Sequence, residues 1–72
     1  MTPFDDIDQA RQAIEAFEGP PDTFSLPISD TLQDPMGLNM AIITDAILGK
    51  GWDLDGFEQR DGYRVYRYKS PD

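Results

Sequence analysis

Few side chains in this sequence could do covalent or acid–base chemistry, and their types narrow that chemistry sharply. There is no histidine and no cysteine, so the commonest proton carrier and the most reactive nucleophile at neutral pH are both missing. Ser25, Ser29, Thr31 and Thr44 supply hydroxyls whose only candidate bases are carboxylates. Ser29-Asp30-Thr31 reads more simply as a turn or cap, because short polar side chains bond nearby backbone groups. A two-carboxylate site of the glycosidase kind needs a cleft, and a chain of 72 residues offers little scaffold for one. The expectation is a non-enzymatic protein without a cofactor.

Two further spacings invite a test for ligands. Asp53-Leu54-Asp55-Gly56 and Asp61-Gly62 look like the opening of a calcium loop. Such a loop needs glycine at its sixth position and glutamate at its twelfth, and counting from Asp53 those places hold Glu58 and Arg64. No metal is expected. Gly49-Lys50-Gly51 is shorter than a phosphate-binding loop and lacks the Ser or Thr after the lysine. It also follows an apolar run instead of preceding one, so it reads as a helix stop.

The last third of the chain carries most of the cations. Tyr63-Arg64-Val65-Tyr66-Arg67-Tyr68 returns from Asp61-Gly62, after a run ending Leu48-Gly49-Lys50-Gly51-Trp52. Over about half the chain this arrangement resembles the final helix and wing of a winged helix-turn-helix domain. The resemblance implies nucleic-acid binding through Lys50, Arg60, Tyr63, Arg64, Arg67 and Lys69, by charge and base stacking. Two observations weigh against nucleic acid as partner. The helix that would enter the groove offers Asn39, Thr44 and Asp45 but no base before Lys50, and each arginine finds an acidic neighbour across the hairpin.

That hairpin is written in its turn and its alternation. With Arg60-Asp61-Gly62 as the loop, Gln59 faces Tyr63, Glu58 faces Arg64, Phe57 faces Val65, Asp55 faces Arg67 and Asp53 faces Lys69. Opposite charges then meet across the strands, which favours this register. Tyr66 would cover Gly56, and a bulge at Gly56 would instead move Phe57 to the face of Leu54.

Upstream, Thr2-Pro3-Phe4-Asp5 reads as a helix start with Thr2 as N-cap. Phe4, Ile7, Ala10, Ile14 and Phe17 draw one apolar stripe, and Gly19-Pro20-Pro21 stops it, giving a helix over residues 3–18. Phe24, Leu26 and Ile28 alternate with polar residues and Pro27 as a short strand, placed at a sheet edge because proline cannot donate to a ladder. Asp34-Pro35 opens a second helix over Met36–Leu48, apolar around most of its circumference. The order helix, strand, helix, strand, strand predicts a two-layer α+β fold. Its three-stranded sheet has order 1-3-2, with the third strand antiparallel to both others. Two helices pack on one face, with Trp52, Leu54, Tyr66 and Tyr68 turned toward them. A single domain over 1–72 is expected, with a frayed tail from residue 70.

Composition bounds the rest. A chain this short buries only about 60% of the surface its unfolded form exposes, and without cysteine no disulfide staples it. No basic segment followed by an apolar one opens the chain, so Met1 is expected to start the mature protein. The run Met36–Leu48 falls short of the roughly 20 apolar residues that span a bilayer. A cytoplasmic protein with no membrane contact is the expectation. Residues 1–49 hold nine acids against Arg11, whereas residues 50–72 hold five of each sign, for a net charge of −8. Such a surface repels phosphate backbones and steers toward basic partners. The most favoured role is therefore protein recognition or self-association as a homodimer. Phe24 and Leu26 on the edge strand, and Met36, Met40, Ile43 and Ile47 on the second helix, are the candidate contacts.

Overall fold

The computed structural model describes residues 2–71; Met1 and Asp72 lie outside the described residues. The elements are helix α1 (Ile7–Ala16), strand β1 (Ser25–Ser29), helix α2 (Leu38–Lys50), and strands β2 (Asp53–Arg60) and β3 (Tyr63–Lys69). Short 3-10 turns, Pro21–Thr23 and Asp30–Leu32, flank β1. The strands form one antiparallel sheet in the order β1-β3-β2, as the sequence pattern predicts.

Helix α1 begins later than the Thr2-Pro3 signal suggests. Asp6 is the N-cap, its carboxylate accepting hydrogen bonds from the backbone N–H groups of Asp8 and Gln9 at 2.9 and 3.2 Å. Phe4 is instead extended and bridges β1 in parallel at Ile28. The Phe4 N–H donates to the Pro27 carbonyl at 2.9 Å, and the Ser29 N–H donates to the Phe4 carbonyl at 2.8 Å. The outer edge of β1 is thus partly occupied, and Pro27 fits because its nitrogen shares that outer edge with its carbonyl, away from β3.

Helix α2 also starts late. Gly37 takes a left-handed φ of 71°, and the Asp34 carboxylate reaches over it to accept from the Leu38 and Asn39 N–H groups at 3.0 and 3.3 Å. Met36 therefore lies before the helix. Gly51, with φ of 74°, closes the other end, a conformation that costs an L-residue roughly 1–2 kcal/mol.

The hairpin departs from its expected register. Asp53↔Lys69 and Leu54↔Tyr68 hold, but a bulge between Leu54 and Gly56 shifts the rest by one residue, to Gly56↔Arg67, Phe57↔Tyr66 and Gln59↔Arg64. Asp55 is left out of the pairing, and the loop shortens to Asp61-Gly62. The direct pairs Asp55–Arg67 and Glu58–Arg64 and the cover of Gly56 by Tyr66 do not form. Packing accounts for the shift. Phe57 moves to the side of the sheet that carries Tyr66, with ring centroids 5.8 Å apart, and the Arg64 guanidinium lies 4.4 Å from the Phe57 ring. On the opposite side Glu58 pairs with Arg60 at 2.8 Å and with Arg67 at 3.8 Å. These pairs are exposed and contribute little to stability.

One core joins the layers. Ala10 and Ile14 from α1, Ile43 and Ile47 from α2, and Leu26, Ile28, Tyr66 and Tyr68 from one face of the sheet are buried together with Leu32 and Trp52. Phe17 and Phe24 complete an aromatic group with Trp52, at centroid distances of 4.8, 5.5 and 5.9 Å. No helix among the described residues is long and apolar enough to cross a membrane.

Candidate protein-binding groove

Helix α2 has apolar residues on nearly every side, and the fold uses only part of them. Ile43 and Ile47 enter the core, whereas Ala46 and Lys50 turn toward α1, where the Lys50 ammonium donates to the Phe17 carbonyl at 2.6 Å. The two helices pack against each other over β1 and β3 and leave the β2 side of the sheet uncovered. Leu54, expected to be turned in under the helices, lies on their side of the sheet yet is 52% exposed, and Phe57 equally so.

Between α2 and β2 this leaves an open groove of about 220 Å³. Met40, Thr44 and Leu48 form one wall, and Asp53 and Leu54 form the other. Ile43, Ile47, Trp52, Tyr66 and Tyr68 make its floor, so no basic side chain lines it. Burial among these rings, with a smaller push from Tyr66, raises the Tyr68 hydroxyl well above the ordinary tyrosine range. That hydroxyl therefore stays protonated at any physiological pH. Leu48 at 67%, and Leu38 and Ile42 beyond it, extend the apolar surface along the outside of α2.

The residues proposed from sequence fall in different places. Leu26, Ile43 and Ile47 are core residues, Ile43 only 2% exposed, and of the three Ile43 and Ile47 reach the groove as part of its floor. Phe24 is held in the aromatic group. Met36 is 79% exposed just ahead of α2, and Met40 stands in the groove wall. Leu48, Leu54 and Phe57 were not singled out by the sequence reading. Their signal was the bulge alternative at Gly56, which puts Phe57 and Leu54 on one face beyond the reach of two short helices.

The basic candidates do not form one patch. Arg60, Tyr63, Arg67 and Lys69 lie on the outer face of the sheet, where Glu58 engages two of them. Arg64 points to the other face, its Nε donating to Gln59 Oε1 at 3.0 Å. Lys50 is engaged with Phe17. The outward side of α2 shows Leu38, Ala41, Asp45 and Leu48, with no cation.

The chemistry of the groove is that of an apolar receptacle. Ser29 Oγ is 2.9 Å from Thr31 Oγ1 and accepts from the Thr31 N–H, a turn cap as expected. Among the described residues no group of three or more acidic side chains could hold a metal ion. No protein-family model matches the sequence, and comparisons with characterised proteins and with solved structures find no match. The functional reading rests on this geometry.

Proposed function

We propose that this chain is a non-enzymatic protein-recognition module, acting in the cytoplasm, whose docking surface is the groove between α2 and β2. The observation that carries the reading is the exposure of Leu48 and Leu54 around an apolar floor that the chain's own helices do not cover, with Phe57 exposed further along β2. Contiguous apolar surface of this kind, edged by polar residues, is characteristic of interaction sites. Its volume is below the roughly 300–1,000 Å³ of clefts that enclose a small-molecule ligand, so it suits one or two inserted side chains. The missing histidine and cysteine favour binding over catalysis, and the cysteine-free composition suits a reducing compartment.

The test is selection of peptides from a random displayed library on the immobilised chain, with Leu48→Gln and Leu54→Thr as counter-targets. Light scattering across a concentration series runs beside it. Peptides that bind the parent and lose affinity for both variants support the reading, as does a dimer that Leu48→Gln dissociates. A strictly monomeric chain yielding only peptides indifferent to both substitutions contradicts it.

A further inference from the structure

We propose that the outer edge of β2, along residues 56–60, takes an extended segment of a partner protein as a fourth strand, its residues alternating apolar and polar. This edge is distinct from the groove and needs nothing from it, because backbone groups define it. β2 ends the sheet on one side. Arg60 and Tyr63 flank a two-residue loop, so that pair exchanges both of its hydrogen bonds, and Glu58 and Gly56 do the same at every second place. The N–H and C=O groups of Phe57 and Gln59 therefore point away from β3. Both residues are exposed, and among the described residues no backbone group outside the hairpin reaches them.

The two edges of the sheet differ. On β1 the outward row is closed, because Pro27 has no N–H to offer, its carbonyl accepts from the Phe4 N–H, and the Ser29 N–H donates to the Phe4 carbonyl. Among the described residues β2 has no proline and no covering segment from Gly56 to Arg60. The bulge ends regular pairing on the Leu54 side, yet five residues remain, the length over which β1 itself pairs. An unpaired row of donors and acceptors is the complement of another extended backbone. Side chains set its alternation. On the helix side a residue of the added strand lies beside the exposed Phe57 ring, which favours an apolar neighbour. On the other side it lies beside Glu58 and Arg60, which pair with each other at 2.8 Å and favour a polar one.

A second copy fits less well. Pairing β2 antiparallel with its own image so that Phe57 faces Gln59 sets Glu58 directly against Glu58, and like charges there are destabilising. Centring the pair on Phe57 sets Gln59 against Asp55 of the bulge, and centring it on Gln59 runs Phe57 into the turn residue Asp61.

The probe is a fluorescein-labelled peptide of about seven residues alternating valine and threonine. Its control carries N-methylvaline for valine, which keeps the side chains and removes the donors that would face β2. Gln59→Pro removes an outward N–H and leaves the ladder to β3 intact, as Pro27 does in β1. Gln59→Ala loses the side-chain bonds to Arg64 and Asp30 but keeps that N–H. Fluorescence anisotropy should show the probe binding the parent, Gln59→Ala and Leu48→Gln alike, and binding Gln59→Pro about tenfold more weakly or not at all. The control peptide should not bind. Amide exchange of the parent needs no variant: the Phe57 and Gln59 N–H groups should exchange quickly in the chain alone and slowly when the probe saturates it.

Equal binding of the N-methylated control, or unchanged exchange at Phe57 and Gln59 under saturating probe, overturns the proposal. So does absence of binding up to the solubility limit of the probe. Protection of both N–H groups at high protein concentration without the probe, together with a dimer in light scattering, assigns the edge to a second copy instead. Binding that Leu48→Gln abolishes assigns the peptide to the groove, which overturns the edge and leaves the groove reading in place.

Discussion

The Tyr68 hydroxyl sits on the floor of the groove, where burial first and Tyr66 second push its ionisation above the ordinary tyrosine range. An unfolded tyrosine ionises near pH 10. Above that pH the folded chain holds a proton that the unfolded chain releases, so stability must fall as pH rises. Below it this group has no effect. The slope for one such group reaches about 1.4 kcal/mol per pH unit, and urea midpoints above pH 10 should decline less steeply in Tyr68→Phe than in the parent. At the start of α1 the decisive residue is Asp6, which holds two N–H groups of the first turn. Asp6→Ala should cost about 1 kcal/mol in urea denaturation, whereas Thr2→Ala should change stability by less than about 0.5 kcal/mol. Both residues are cap types, and Asp6 carries the better signal, since Gln9 follows it at the third helical position. The apolar spacing of Phe4 and Ile7 masks that signal, because a residue three before a helical one reads equally well as helix until strand pairing claims it.

At the scale of elements, α2 combines two kinds of surface that sequence cannot separate. Its apolar residues surround the axis, so periodicity does not point to a buried side, and Ile43 and Leu48 read alike. The structure separates them. Ile43→Ala removes packing at a buried site and should cost about 2–5 kcal/mol, a large part of the roughly 5–10 kcal/mol that a domain of this size commands. Leu48→Gln should leave stability within about 0.5 kcal/mol of the parent, and urea unfolding of both variants checks the contrast. Element order, sheet order and the edge position of Pro27 were legible because cap, turn and alternation signals agree with one another. The hairpin register was not. Its charges favour one alignment by a few tenths of a kcal/mol per pair, whereas the ring contacts of Phe57 with Tyr66 and Arg64 depend on neighbours that no local pattern reveals. The groove was legible in part, since Met40, Ile43 and Ile47 line it, whereas the exposed Leu54 on its other side was expected to be covered.

For the whole molecule, the governing fact is a mismatch of cover. Two short helices lie over β1 and β3, and the β2 margin keeps an apolar face that its own chain does not use. The net charge of −8 opposes self-association across that margin. That some apolar surface would remain over was legible from the second helix: Met40, Ile43 and Ile47 line the groove and Met36 is exposed ahead of it, whereas Leu26 is wholly buried. The most direct measurement of the central claim is an amide shift map, the ¹⁵N–¹H spectrum of the chain recorded as a peptide selected on the immobilised chain is added. The sole tryptophan, Trp52, lines the groove, so its indole N–H reports from within it. The account predicts changes concentrated at Thr44, Leu48, the Trp52 indole and Leu54, with α1 unmoved. Changes confined to α1 or to the outer face of the sheet around Arg60 and Arg67, or none at peptide excess, would contradict it.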